Sequence, residues 1–129
     1  MQKKYRLSGR RTFSYIYAKG SRSAGRYMTL IYHNARRGLH IGIVAGKKVG
    51  KSVVRNKVKR RIKEIARRFI PCVENGYNYI VVASPAAAKA DFSSLCLDLA
   101  SVFERAGKLK DKEGAIRAVL GKNVPDKDV

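Results

Sequence analysis

Apolar side chains recur along this chain with two spacings, which divide it into helices and strands. Phe13, Ile16 and Tyr17 lie at i, i+3 and i+4 and therefore share one face of a helix. Ser8 is a suitable N-cap for that helix because its hydroxyl can accept a hydrogen bond from a free backbone N–H. Gly20 is suited to end it. The pattern predicts a first helix between residues 8 and 20.

Three stretches rich in Tyr, Thr, Leu, Ile and Val predict β-strands, and they cover residues 25–34, 39–45 and 77–83. Arg37-Gly38 lies between the first two and indicates a turn, so these strands are expected to pair as a hairpin. Gly42 interrupts the second strand, which indicates a bulge or a close approach of another group to the backbone. The third strand is apolar on both faces, as is typical of a central strand.

Two further helices are predicted by apolar stripes. The longer one runs from a candidate cap at Ser52 to a stop at Pro71. Its stripe spans roughly 80° of a helical projection and consists of Val54, Val58, Ile62, Ile65 and Phe69. The last helix is expected to begin after the cap Asp91 and to end at Gly107. Its stripe consists of Phe92, Leu95, Leu99, Val102 and Phe103.

The order of these elements, helix, hairpin, helix, strand and helix, predicts an α+β fold in which helices pack on a sheet as a two-layer sandwich. Residues 1–107 are expected to form this domain. Residues 108–129 have little to bury except Ile116, Val119 and Leu120. For them we expect a C-terminal extension that is loosely ordered or forms a short, loosely attached helix.

The net charge of the chain indicates which class of partner it binds. The 129 residues include 29 Lys and Arg against 9 Asp and Glu, a formal charge of +20. A polyanion would relieve the mutual repulsion, and its binding releases condensed counterions, so nucleic acid is the leading partner class. An anionic membrane surface is the competing interpretation. No apolar run approaches the ~20 residues that span a bilayer, and we expect a cytoplasmic protein that binds no membrane.

The longer helix and the loop before it hold most of the candidate binding residues. Arg55, Lys59 and Lys63 form one ridge, and Asn56, Arg60 and Arg67 form a second. A solvated helix face normally mixes charges of both signs, because like charges four residues apart reduce stability. Here the one acid is Glu64, so we predict a face that binds phosphates. The candidates are Lys47, Lys48, Lys51, Arg55, Asn56, Lys57, Lys59, Arg60, Arg61, Lys63 and Arg67.

Residues for catalysis are harder to find in the sequence. His33 and His40 lie near the predicted turn, and the acids form no cluster that would hold two metal ions for phosphodiester cleavage. Cys72 and Cys96 lie apart without metal-ligand spacing, so we expect buried thiols and no zinc. The chain is therefore interpreted as a binder without catalytic residues. If it belongs to an enzyme, another component supplies the chemistry.

The segment from Lys48 to Glu64 resembles the RNR signature of bacterial ribonuclease P proteins, and the resemblance extends over about residues 5–106. Phe13, Tyr17 and Gly20 fit the family's first helix. Gly25-Arg26 and Pro85 fit its strand boundaries. The family implies a mixed sheet of about four strands with three helices and a left-handed βαβ crossover, a fold shared with a domain of a small-subunit ribosomal protein.

The resemblance also implies a function. A ribonuclease P RNA would carry out hydrolysis with Mg²⁺, while the protein, a monomer within the ribonucleoprotein, would stabilise that RNA and hold the 5′ leader of precursor tRNA. No cofactor is expected on the protein itself, although Asn56 could reach a hydrated metal ion, a ribose or a base edge. By position, the residues that would face RNA from the signature helix are Arg55, Asn56, Lys59, Arg60 and Lys63.

The family further implies a leader cleft between the first helix and the sheet. Its residues would be Phe13, Tyr17, Arg26, Thr29 and Ile31. Many members have Tyr at the position of Ile31, which removes one stacking ring from this chain. Lys57 replaces the signature's closing arginine, and Arg61 stands where an apolar residue is common.

Other interpretations remain open at this point. Phe13 and Tyr17 could be ordinary core residues, since Ile16 shares their helix face. The chain could be a ribosomal or ribosome-assembly protein, which would need the basic helix but not the leader cleft. It could also be a membrane-surface or DNA-packaging protein bound by charge alone, and such binding would show no preference for folded RNA.

Overall fold

In the computed structural model, residues 2–121 are described, and they form one four-stranded sheet with four α-helices. The elements in chain order are α1 (Arg10–Lys19), β1 (Ser21–Ala24), β2 (Met28–Asn34), β3 (His40–Ala45), α2 (Ser52–Phe69), β4 (Tyr77–Ala83), α3 (Phe92–Arg105) and α4 (Lys112–Leu120). The sheet order is β1-β2-β4-β3. The α+β fold and the four-stranded mixed sheet are confirmed, with one helix more than expected.

The central position predicted for residues 77–83 is confirmed, because β4 pairs antiparallel with β2 and parallel with β3. The predicted hairpin between β2 and β3 is wrong, since β4 lies between them. The loop after β2 instead bonds to the turn before β4: Ala35 N donates to Gly76 O (2.8 Å) and Gly76 N donates to Gly38 O (2.9 Å). These bonds hold the start of β4 between its two neighbours.

The edge strand β1 was not predicted, because its sequence, Ser-Arg-Ser-Ala, lacks the β-branched and aromatic residues typical of strands. It pairs with β2, and Ser23 Oγ donates to Val102 O on α3 at 2.8 Å. Residues 25–27, assigned to a strand from sequence, form the turn between β1 and β2. Asp98 holds that turn by accepting from Arg26 N (3.0 Å) and Tyr27 N (2.8 Å).

The main core lies between one face of the sheet and helices α2, α3 and α4. The predicted stripe of α2 is confirmed at Val58, Ile62, Ile65 and Phe69, which are all buried, while Val54 is half-buried. Leu95, Leu99, Val102 and Phe103 of α3 complete the core. This packing leaves the polar side of α2 outside the core.

Helix α1 packs on the opposite face of the sheet over a smaller cluster formed by Leu7, Ile16, Ile31 and Ile80. Leu30 and Met28 of the same strand belong to the main core, as expected from the alternation of side chains along a strand. Since α1 is the only α-helix among residues 2–121 that contacts this face, part of the face on either side of α1 stays open.

Two of the three predicted N-caps are wrong by one residue. The residue before α1 is Gly9 instead of Ser8, and the residue before α2 is Lys51 instead of Ser52; neither makes a side-chain cap bond. Ser52 lies inside α2, where its Oγ accepts from Arg55 Nη2 at 3.0 Å. Asp91 is confirmed as the cap of α3, since its Oδ1 accepts from Ser94 N at 2.7 Å.

The expected loose attachment of the C-terminal helix is also wrong. Helix α4 packs against α2 and α3, and Ala115 and Ile116 are buried. The segment before it is bound to the main domain as well, since Glu74 N donates to Lys108 O and Lys110 N donates to Cys72 O, both at 2.8 Å. The burial of Ala115 was not anticipated from sequence. The rest of the expected C-terminal extension, residues 122–129, lies outside the described residues.

Candidate RNA interface

The apolar stripe of α2 fixes how the helix is rotated against the sheet. Its cations therefore lie on two flanks and on the outermost ridge between them, which we call the crest. One flank carries Lys59 and Lys63, both half-buried beside β3. The crest carries Asn56 and Arg60, both exposed. Lys57 and the loop residues Lys47, Lys48 and Lys51 are exposed as well. The first two-thirds of the helix thus presents polar groups of one charge sign.

The far end of α2 is different, because the acid Glu64 lies there. Its carboxylate accepts from Arg67 Nε at 3.2 Å and from Arg68 Nε at 3.0 Å. The hydrogen bond from Arg67 is the main cause that lowers the pKa of the Glu64 carboxyl. Arg61 turns to the same side and donates to Ala90 O at 3.4 Å. Arg61 and Arg67 therefore have hydrogen-bond partners within the protein, whereas the side chains of Asn56 and Arg60 have none among residues 2–121.

A recess of about 170 Å³ lies between α2, the edge of β3 and the start of α1. It is lined by Arg6, Leu7, Phe13, Ile41, Gly42, Ile43, Lys59 and Lys63. The recess brings the aromatic ring of Phe13 together with two ammonium groups of the basic helix. A base can stack on the ring while phosphates pair with the ammonium groups, the combination used by proteins that hold single strands.

Gly42 places the ring of Phe13 against the sheet. A Cβ atom at residue 42 would lie 2.5 Å from Phe13 Cζ, well inside van der Waals contact. The predicted close approach to this glycine is therefore confirmed, and the approaching group is a candidate binding residue. Phe13 is half-buried and packs against the small cluster. The Phe13 side chain therefore packs against the core on one side and borders the recess on the other.

The face of the sheet that carries α1 consists of three cross-strand rows. Ile31, Ile80 and Gly42 form the middle row beneath α1, and Thr29, Val82 and Val44 form the row beside it. Tyr17 lies on the same flank of α1 as Phe13 and packs on the small cluster with Val44 and Val82. We call the space bounded by Phe13, Tyr17 and the row from Thr29 to Val44 the cleft.

Two residues expected in the cleft lie elsewhere. Ile31 is completely buried, because Gly20 of the α1 terminus packs directly over it, so it supports α1 and has no surface for RNA. The guanidinium of Arg26 lies over the ring of Tyr27, 5.4 Å from its centroid. Tyr27 packs against the main core, which places Arg26 on the α3 side of the sheet. Thr29 is half-buried and lies in the row beside Val82.

Arg22 is a cleft residue that sequence reasoning missed. Its Nη2 donates to Tyr17 O at 3.1 Å, and its guanidinium lies 6.0 Å from the centroid of the Tyr17 ring. Burial raises the pKa of the Tyr17 hydroxyl, so this ring stays neutral at physiological pH. In a strand over residues 21–24, Arg22 and Ser23 point to opposite faces of the sheet. That alternation could have placed Arg22 beside Tyr17, but only after the strand itself had been recognised.

The described residues give no sign of a metal centre or a membrane span. Among them, no three His, Cys, Asp or Glu side chains lie close enough to share a metal ion. The amide of Asn56 stands among cations, so it does not by itself fit a metal site, and a cation there would need phosphate oxygens nearby. Within the same residues, no helix has the length and apolarity required to cross a bilayer.

Comparison with known proteins agrees with the resemblance. A model of the family Ribonuclease P matches residues 1–107. The ribonuclease P protein component of Symbiobacterium thermophilum is 40% identical over 116 residues, covering 88% of this chain and 100% of that protein. A ribonuclease P protein component from Thermus thermophilus is 44% identical over 102 residues, 78% of this chain and 59% of the relative. A Staphylococcus aureus RNase P protein mutant with defective mRNA degradation activity has a TM-score of 0.77 at 29% identity, covering 83% and 92% of the two chains.

Proposed function

Because the chain belongs to the ribonuclease P protein family, we propose that it is the protein subunit of ribonuclease P, a monomer bound to a catalytic RNA in the cytoplasm. In this role it binds and stabilises the RNA subunit and holds the 5′ leader of precursor tRNA. The RNA subunit, with Mg²⁺, carries out the hydrolysis that releases the leader. No side chain of this protein takes part in that chemical step.

The observation that carries this proposal is the position of the cationic helix α2 directly beside an aromatic recess. Lys59 and Lys63 line the same space as Phe13. A protein that only neutralised a folded RNA would need the cations but not the ring. The combination fits a protein with two RNA ligands, a structured RNA on the crest of α2 and a single strand in the recess and cleft.

The crest of α2, together with Lys59 on the adjoining flank, supplies the contacts to the RNA subunit. Arg60 offers bidentate hydrogen bonds to a phosphate, Lys59 offers a point charge, and Asn56 offers an amide to a ribose, a base edge or the water shell of an RNA-bound metal ion. The exposed cations of the preceding loop extend this surface. Arg61 and Arg67 contribute less, because both already have hydrogen-bond partners within the protein.

The recess and the cleft supply the contacts to the leader. Bases stack on Phe13 and Tyr17, and Lys63 and Arg22 lie near enough to pair with the phosphates. Stacking contributes ~1–3 kcal/mol per base and tolerates any base. The leader is therefore held without strong dependence on its sequence.

Cleavage of a precursor tRNA by a ribonuclease P RNA at low Mg²⁺, with and without this protein, tests the proposal. We expect the wild-type protein to restore cleavage and the double variant Lys59→Ala/Arg60→Ala to abolish the rescue. Lys89→Ala is the control for the loss of one charge, because Lys89 is an exposed cation that lies neither on α2 nor among the residues that line the recess. The control should rescue as well as the wild type.

Two results would contradict the proposal in different ways. If the protein binds the RNA tightly yet never restores cleavage, the charged surface is real but the assigned role is wrong, and ribosomal RNA becomes the ligand to test. If the double variant and the Lys89→Ala control rescue equally well, the crest of α2 is not the surface that binds the RNA subunit.

A further inference from the structure

The proposed function uses one flank of α1, but the other flank also borders an open part of the sheet. There the remaining cross-strand row, formed by His33, Asn78 and His40, lies beside Thr12 and Tyr15 of α1. Two depressions of about 460 and 610 Å³ occupy this flank. Both are lined in part by Thr12 and Asn78, so they form one continuous groove.

The groove is lined by cations at both ends. Lys3, Lys4 and Arg6 lie at one end, and Arg11 and Arg36 lie at the other, among the residues that line the two depressions. None of these is acidic, and no Asp or Glu precedes Glu64 anywhere in the sequence. An extended polyanion would be attracted along the whole length of this groove.

The larger of the two depressions holds an aromatic pair, Tyr15 and His33. Tyr15 is 55% exposed and His33 is half-buried. Their ring centroids lie 5.2 Å apart, at an interplanar angle of 88°. Two rings at a right angle form a corner. A base that stacks on one ring meets the other with its edge, so the corner fits a flat, unpaired base.

The floor of the groove also carries polar groups suited to a nucleotide. His40 Nδ1 lies 2.8 Å from Asn78 Oδ1. With the proton on Nδ1, His40 donates to that oxygen, which leaves His40 Nε2 as an acceptor and the Asn78 amide as a donor. An acceptor next to a donor can bind a ribose hydroxyl or a base edge. An acidic peptide would use the cations but would have no use for this pair or for the aromatic corner.

The groove is continuous with the recess described above. Arg6 and Leu7 line both spaces, because the segment that holds them adds to the edge of β3, where Leu7 N donates to Ile41 O at 3.1 Å. A strand that leaves the recess can therefore pass over Arg6 and enter the groove without crossing a helix. The geometry points to one path for a single strand around the start of α1.

We propose that this groove binds the distal part of the 5′ leader, the nucleotides farther from the cleavage site than those in the recess and cleft. The phosphates lie along the cations at the two ends, and one base stacks in the corner between Tyr15 and His33. This inference rests on the proposed function, because it assumes that the near part of the leader occupies the cleft.

The test is the affinity of the assembled holoenzyme for precursor tRNAs whose leaders are lengthened one nucleotide at a time. The groove variant is Arg11→Ala/Tyr15→Ala, two exposed substitutions that leave the core intact. Tyr15→Phe keeps the stacking ring, and Lys89→Ala is a control for the loss of one charge. With the wild type, affinity should rise first as the cleft fills and again as the groove fills.

The groove variant should keep the first rise and lose the second, a loss of about fivefold or more for long leaders, as expected for one stacked base. Tyr15→Phe and Lys89→Ala should retain both rises. Equal length dependence in the wild type and the groove variant would overturn this inference alone. So would an equal loss at every length, leaderless tRNA included, because it would place the RNA subunit in the groove. No leader dependence in the wild type would overturn the proposed leader binding as well.

Discussion

Gly42 and Gly46 differ in the space available for a side chain. At residue 42 an added methyl group would collide with Phe13, 2.5 Å away, whereas at residue 46 it would meet no atom within 4 Å. Gly46 also has an ordinary negative φ of −79°. Because Gly42 has no side chain, the ring of Phe13 packs directly on the backbone of β3. This contact sets the depth of the recess.

Gly42→Ala should therefore affect both stability and binding. The displaced ring cannot return to its place, and overpacking of this kind lowers the free energy of unfolding by about 1–3 kcal/mol. Affinity for a leader-bearing precursor should fall about fivefold through the loss of one stacked base. Urea denaturation and equilibrium binding measure the two effects. Gly46→Ala is the matched control and should change neither; equal behaviour of the two variants would refute the role of Gly42.

The two cysteines should differ in reactivity. Cys96 is completely buried in the main core, and burial raises the pKa of its thiol to about 12. Cys72 is half-buried, and burial, helped by Asp111, raises the pKa of its thiol as well. Iodoacetamide at about pH 8 should therefore label Cys72 slowly and leave Cys96 unmodified until the protein unfolds. Rapid labelling of Cys96 in the folded protein, measured by mass spectrometry, would contradict its burial.

At the scale of elements, the sequence predicted what depends on local periodicity. The stripe from Val58 to Phe69 fixed both the existence of α2 and the face that it buries, and hence which of its cations stay outside. Pairing of strands was not predictable in the same way. Arg37-Gly38 fits a hairpin turn as well as it fits a loop around β4, and only the bonds to Gly76 distinguish the two.

The same limit explains the errors in the site. Ile31 and Thr29 are neighbours on one face of β2, and the family resemblance assigns both to the cleft. Their difference comes from α1, whose terminal Gly20 covers Ile31 and leaves Thr29 half-buried. Arg22 was missed because β1 has no strand signal of its own. Both errors depend on how one element packs against another. A short stretch of sequence does not carry this information.

Helix α4 should be a required part of the fold. Ile116 is 2% exposed against α2 and α3, so Ile116→Ala should lower the free energy of unfolding by about 2–5 kcal/mol, through lost burial and a cavity. Arg117→Ala, an exposed change on the same helix, should have little effect. Chemical denaturation of the full chain measures both. A loss below about 0.5 kcal/mol for Ile116→Ala would mean that α4 is dispensable.

The cap of α3 should make this helix sensitive to acid. The hydrogen bond from Ser94 N lowers the pKa of the Asp91 carboxyl below its unfolded value. The charged cap therefore stabilises the folded state above about pH 4, and the contribution is lost as the pH falls through the lowered pKa. Asp91→Asn keeps a capping oxygen without the titration. The melting temperature of the wild type should fall relative to this variant in acid; a difference that is constant with pH would exclude the charge as the cause.

For the whole molecule, the important feature is the separation of charge along the chain. Every described acid lies from Glu64 onward, in the second half of α2, in α3, in α4 or in the loops beside them. The face that carries α1, the cleft and the groove has cations without acids. RNA is therefore attracted to this face and to the first two-thirds of α2, while α3 and α4 have mixed charge and are suited to face solvent.

This separation should be visible in the salt dependence of binding. Removing a cation that contacts a phosphate lowers the slope of log affinity against log salt by about one, whereas removing a cation elsewhere leaves the slope unchanged. Lys59→Ala should show the first behaviour and Arg117→Ala, on α4, the second. Binding to a ribonuclease P RNA between about 50 and 200 mM salt gives both slopes. Identical slopes for the two variants would show that net charge alone determines affinity.

The strand order has a consequence for how the protein is made. Strand β4, which joins β2 to β3, is the last of the four described strands to leave the ribosome, and until it emerges β3 pairs with none of the other three. Residues 1–63 contain no acids, so this part of the nascent chain is a polycation whose core cannot close before β4 emerges. Its folding is therefore a late event in synthesis, and a chaperone or an RNA that shields this first half would act before any enzyme is assembled.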